Sequence, residues 1–254
     1  MKLFGILLGF GLVPLALGFA EDPLRVSAAA SLSEALKEVD AAFEKETGIK
    51  VELNLGASNQ LARQIAEGAP ADVFFPADEA TMNALIRKGL IASESLIPML
   101  SNSLVVVVPL DSGLEIRSAK DLAGNQIRRL ALGDPKAVPA GIYARQWLEK
   151  VGVWKETEEK IVSTESVRAA LAMVESGNVD AGVVYKTDAT ISKKVKVAFE
   201  VPVNEGPMIV YPVAILMETK HSKEAGNYLS YLKKETAQNT FRKYGFKVQI
   251  NKEK

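Results

Sequence analysis

The sequence predicts an α/β protein of two lobes with mostly parallel sheets. Short β-rich runs alternate along it with amphipathic helical runs, the signature of βαβ units. Two long apolar strands, 104–108 and 208–217, stand about a hundred residues apart, placed to cross between two lobes, one inserted in the other. The chain of 254 residues is long enough for two modest domains. The expected division is 22–102 plus 204–254 for one lobe and 103–203 for the other, after a removable segment at 1–20.

That removable segment comes first. Lys2 supplies a positive start, Leu3 to Leu17 is almost wholly apolar, and Gly18-Phe19-Ala20 puts small residues at both cleavage-determining positions. Glu21-Asp22-Pro23 follows, charged and helix-breaking, so an exported chain cleaved near Ala20 is expected, in the periplasm.

Leu24 to Ala29 is the first strand candidate. A helix from near Ser31 carries Leu32, Ala35, Leu36, Val39 and Phe43 on one face, and Gly48 stops it. Lys50 to Leu55 alternates as a strand, Leu61 to Glu67 is a short helix stopped by Gly68, and Asp72 to Phe75 is a buried strand. Glu79 to Lys88 is helical, with Gly89 as its stop. The strand at 104–108 is closed by Pro109. Leu130 to Leu132 precedes a Gly133-Asp134-Pro135 turn, and a helix follows over 140–151. Strands at 161–162, 179–185, 195–201 and 208–217 frame a helix starting near Val167, and helices fill 223–244.

The rarest residues exclude most. With no cysteine, thiol catalysis, disulfides, iron–sulfur clusters and a lipid-modified cysteine are impossible. One histidine, His221, rules out a multi-histidine metal site and leaves a single imidazole for acid–base work. Its polar setting, between a strand and a helix, reads as a solvated loop. The balance of 31 basic against 31 acidic side chains argues against nucleic acid as a partner.

Five strand-to-helix junctions expose small or polar residues: Ala28 to Ser31, Gly56 to Asn59, Val138 to Gly141, Thr164 to Val167, and Val183 to Asp188. Ligands of open α/β sheets bind outside the carboxyl ends of strands, where helix N-termini offer free N–H groups to anions. Each junction also has a plainer reading. Ser31 with Glu34 forms a capping box, and Ser58 or Asn59 caps the next helix. Pro139 and Ala140 open a helix, Val167 lies on an apolar face, and Tyr185 is core. Arg63 and Arg168 read as surface or interdomain charges. A serine hydrolase using Ser31 or Ser58 is the rival from another class, and it lacks a base other than His221.

The chain resembles the periplasmic molybdate-binding proteins of ABC-type importers. The resemblance is carried by Ala28-Ala29-Ala30-Ser31-Leu32, Ser58 with Leu61-Ala62-Arg63-Gln64-Ile65, Gly68-Ala69-Pro70-Ala71-Asp72, and Asn102-Ser103-Leu104. It continues through Gly133-Asp134-Pro135, Val138 to Ala144, Val167 to Leu171, Val184-Tyr185 with Asp188-Ala189, and Tyr244-Gly245-Phe246. It implies a type II periplasmic binding fold, with two α/β domains joined by a two-strand hinge and the ligand in the cleft. It implies molybdate held through its oxygens, with no direct metal ligation, by Ser31, Ser58, Ala140, Val167 and Tyr185. It further implies delivery to an inner-membrane permease with its ATPase; tungstate, nearly equal to molybdate in size and charge, is expected to bind too, and a monomer with no cofactor and no catalysis is expected. Sulfate or another tetrahedral oxyanion is the alternative ligand.

Overall fold

The computed structural model describes residues 22–249; the expected export segment 1–20 lies outside the described residues. The chain opens with β1 (Leu24–Ala29), a 3-10 turn (Ala30–Leu32), α1 (Ser33–Thr47), β2 (Val51–Gly56), α2 (Ser58–Ala66), β3 (Val73–Phe75), α3 (Glu79–Arg87) and β4 (Ile97–Ser101). It continues with β5 (Leu104–Pro109), α4 (Lys120–Ala123), β6 (Leu130–Gly133), α5 (Pro139–Lys150), α6 (Trp154–Glu158), β7 (Ile161–Thr164), α7 (Val167–Glu175), β8 (Ala181–Tyr185), α8 (Lys186–Ile191) and β9 (Val195–Glu200). It ends with β10 (Val210–Ile215), α9 (Ser222–Leu232), α10 (Glu235–Lys243) and β11 (Lys247–Val248).

These strands build two sheets, β11-β4-β10-β3-β1-β2 and β7-β6-β8-β5-β9. Both are mixed, where a mostly parallel arrangement was expected. The parallel pairs β1–β2 and β6–β7 join consecutive strand–helix–strand units, and β1–β3 and β6–β8 bring back the strand after the next helix of the same lobe. The strands that enter a sheet from the other one, β5 and β10, pair antiparallel with both neighbours. Nor do these two long strands cross between the sheets. Each belongs to one sheet, and the chain crosses through 102–103 and again through 201–209.

Burial explains the strand sequences. Residues 104–108 of β5 lie between β8 and the edge strand β9 and are at most 2 % exposed, so an unbroken apolar run is what the position requires. α1 presents Ala35, Leu36, Val39 and Phe43 to the core and stops at Gly48, whose φ of +78° is the left-handed conformation glycine adopts freely. The C-terminal helices return to this first lobe. Phe43 meets Tyr228 and Tyr231 edge-on, with ring centroids 5.2 and 5.3 Å apart. α4, α6, β4 and β11 were not anticipated, and α8 was foreseen only as the helix side of the junction at Val183 to Asp188. The helices are too short to show a period, Pro98 interrupts β4, and β11 has two residues.

The packing of α1 on α9 buries a carboxyl. The Tyr228 phenol donates to Asp40 Oδ1 at 2.6 Å, and Asp40 Oδ2 has no partner. Burial pushes the Asp40 carboxyl up to about 7, against the opposing effect of the Tyr228 hydrogen bond. A carboxyl raised in the fold favours folding while it holds its proton. Stability therefore falls as pH rises from about 4, the unfolded value, to about 7, and the penalty is constant above that. Asp40→Asn keeps an acceptor for Tyr228 and removes the charge. It is expected to raise the melting temperature at pH 8 by roughly 2–8 °C and to flatten its slope between pH 5 and pH 8. Melts of both proteins at the two pH values check this; an unchanged slope means that Asp40 does not titrate in that window.

Candidate functional site

The five residues singled out in the sequence come together. Ser31 lies in the 3-10 turn after β1, and Ser58 is the first residue of α2. Ala140 is the second residue of α5, Val167 the first of α7, and Tyr185 the last of β8. All five line one cavity, two contributed by the first sheet's lobe and three by the second's. Among the described residues, no charged side chain lines it. What faces it is the start of helical segments, whose first N–H groups have no intrahelical partner and carry the positive end of the peptide dipoles. The cavity is thus electropositive without a cation.

The two serines do not play the capping roles expected of them. The residue before α2 is Ala57, and no side chain caps that helix. Ser58 Oγ instead accepts the Ala77 N–H at 3.0 Å, which leaves its own hydrogen free to donate. Ser31 caps nothing either. Its Oγ stands 3.1 Å from the Tyr211 phenol oxygen, and Glu34, the other half of the expected capping box, pairs with Arg168 of α7.

In the second lobe, Ser166 caps α7 by accepting the Ala169 N–H at 3.1 Å, which sets Val167 at the first helical position. The Val167 side chain packs in the core, so the plain reading of that residue describes its side chain and the functional one its N–H. Tyr185 is 1 % exposed, and its phenol oxygen is buried with no hydrogen-bond partner in the protein. Burial pushes its ionisation far above the ordinary tyrosine range, so the phenol is a neutral donor at any working pH. A buried donor left unmade is costly, and a ligand acceptor in the cavity offsets that cost.

Two glycines fix α5. A Cβ on Gly141 would stand 1.9 Å from the Gly133 carbonyl oxygen, and a Cβ on Gly133 would stand 2.6 Å from Val138 Cγ1. Only this pair lets the first turn of α5 sit against the end of β6, which sets Ala140 at the cavity wall.

Arg168 joins the two lobes. It reaches Glu34 on α1 and, through Nε, lies 2.9 Å from Asp188 Oδ1 on α8. Asp188 is fully buried, and its other oxygen accepts the Tyr185 N–H at 3.2 Å. Burial pushes the Asp188 carboxyl up to about 6, with Arg168 acting in the opposite direction. This pair holds the start of α7 and the end of β8 together. Arg168 is therefore the interdomain charge of the two arginines considered, and Arg63 is exposed. The supporting roles of Asp188, Asn102 and Tyr211 were missed, although Asn102 and Asp188 lie in the quoted motifs. His221 precedes α9 and lines a separate hollow with Lys50, Lys220 and Glu224, none of which faces the serines.

Residues 24–247 match a family described as bacterial extracellular solute-binding protein. YvgL of Bacillus subtilis, a candidate ABC transporter substrate-binding lipoprotein, is 42 % identical over 224 residues, covering 88 % of this chain and 85 % of that one. The molybdate-binding protein ModA of Escherichia coli K12 is 39 % identical over 237 residues, 90 % of either chain. Among solved structures, the periplasmic molybdate-binding protein of Azotobacter vinelandii superposes with a TM-score of 0.80 at 28 % identity, over 89 % of this chain and 100 % of that one.

The glycine contact yields a test independent of any ligand's identity. Gly141→Ala forces α5 off the end of β6. It is expected to destabilise the protein by roughly 1–3 kcal/mol, read by urea unfolding, and to weaken any ligand held by the Ala140 N–H. Wild-type stability and wild-type binding together would mean that the contact does not set the cavity.

Proposed function

Because the chain belongs to the bacterial extracellular solute-binding proteins, we propose that it captures molybdate between its two lobes for an ABC importer. The lobes divide at 102/103 and 203/204. The donors are Ser31 and Ser58 through hydroxyl and N–H, Ala140 and Val167 through N–H, and Tyr185 through its phenol. The observation that carries this reading is the buried Tyr185 hydroxyl, without a partner, facing a cavity that holds the other four donors. Its relatives are substrate-binding proteins, and the proposed role includes no catalysis and no cofactor. The molybdate-binding relatives support the choice of anion.

Molybdate carries no proton at neutral pH, so every oxygen is an acceptor. A cavity furnished only with donors suits it. Hydrogen phosphate would bring a proton into a site with no acceptor to meet it, leaving buried donors face to face. Sulfate has the right charge and is rejected by cavity size. Tungstate matches molybdate in charge and size and binds as well. A ligand touching both lobes favours their approach by its differential affinity for the closed arrangement. The mature chain, released from its export segment near Ala20, works as a monomer in the periplasm and docks on a permease with its ATPase.

Two measurements test this. Thermal unfolding is run without anion and with molybdate, tungstate, sulfate or phosphate in parallel. Ligand at about a thousand times its dissociation constant adds roughly 4 kcal/mol, so molybdate and tungstate alone should raise the midpoint by roughly 8–16 °C. A rise with sulfate instead would keep the site and change the ligand, and no rise at all would defeat the proposal. Tyr185→Phe removes one donor. Titration calorimetry should show molybdate binding weakened by roughly 1–3 kcal/mol; an unchanged affinity would take Tyr185 out of the site.

A further inference from the structure

The geometry points to a relay, Asn102 to Tyr211 to Ser31, that fixes the Ser31 hydroxyl as a donor toward the cavity. The inference rests on the functional reading above. Asn102 lies in the short crossing segment between β4 and β5 and is 7 % exposed. Its Oδ1 accepts the Ser103 N–H at 2.9 Å, and a backbone N–H cannot do otherwise than donate. That contact fixes which end of the amide is which. The Nδ2 group therefore points the other way, donating to Thr187 Oγ1 at 2.9 Å and to the Tyr211 phenol oxygen at 3.2 Å.

The consequence passes down the chain of hydroxyls. Tyr211 is 0 % exposed. Its oxygen accepts from Asn102, so its single hydrogen goes to its other neighbour, Ser31 Oγ, at 3.1 Å. Ser31 Oγ then accepts, and its own hydrogen is left for the cavity. Burial holds the Tyr211 phenol neutral, so the relay keeps its hydrogen. Ser58 reaches the same state by a shorter route, through the Ala77 N–H. Both hydroxyls are thereby committed as donors before any ligand arrives. A ligand that must donate finds no acceptor at either. Asn102 and Tyr211 are positioning residues: neither lines the cavity, and both act through Ser31.

The test is a set of variants of the mature chain, with molybdate and hydrogen phosphate affinities read by calorimetry and folding checked by melting. Tyr211→Phe unlocks Ser31. It should weaken molybdate about 5–50-fold and narrow the preference for molybdate over hydrogen phosphate about tenfold. In a Ser31→Ala background the same substitution should change molybdate affinity less than about twofold. Asn102→Asp is isosteric and reverses the relay. The carboxylate takes the Tyr211 hydrogen, Tyr211 then takes that of Ser31, and a lone pair faces the anion. This variant should bind molybdate more weakly than Tyr211→Phe. Adding Tyr211→Phe to it should recover affinity to the level of Tyr211→Phe alone, which neither lost packing nor added charge can produce. Wild-type protein that binds molybdate while Tyr211→Phe has equal effect in both backgrounds, or brings no recovery, overturns the relay alone. Wild-type protein that binds no oxyanion overturns the functional reading and the relay with it.

Discussion

A buried hydroxyl or N–H group has to find a partner, and the two halves of this molecule are arranged around a few that do not find one within the protein. Tyr185 is the clearest case, sealed at 1 % exposure with its oxygen unpaired. Around it stand helix starts whose first N–H groups no helix can satisfy. The two sheets share no strand pair. Each sheet carries its own helices, and the cavity lies where helix starts of the two lobes meet.

Keeping donors at the cavity wall requires support from behind. In the second lobe, Arg168 and Asp188 provide it, one on the helix that begins at Val167 and the other bonded to the backbone of Tyr185. Arg168 also reaches across to Glu34, so its charge is spent on carboxylates of both lobes. A free arginine at this position would attract any anion. In the proposed reading, a paired one leaves discrimination between protonated and unprotonated oxyanions to neutral donors. The glycine pair at 133 and 141 does a comparable job by subtraction, since any side chain there would lift a helix start away from its place.

The cavity residues were legible because they fall at strand-to-helix junctions, and hydrophobic periodicity marks such junctions from local sequence alone. The family resemblance then selected the same five positions. What supports them was not legible. Tyr211 sits in a run of apolar strand residues and looks like any core tyrosine, while its partner Ser31 is 180 positions away. Ser31 with Glu34 satisfied the pattern of a capping box, yet tertiary contacts drew both side chains elsewhere. The sheets were misjudged for a related reason. Local βαβ units are visible in sequence and give parallel pairs, whereas β5 and β10 meet neighbours brought from far along the chain.

A cavity without cations, in a chain whose charges balance at 31 against 31, has a consequence for the conditions under which it works. Ionic screening acts over about 8 Å at physiological salt and erodes attractions that depend on a charged surface. Hydrogen bonds from fixed, desolvated donors act at contact distance and escape it. With no net charge to steer anions from afar, sorting in the proposed reading is left to retention inside the cavity. In the proposed reading, binding by such donors depends little on the salinity around the protein.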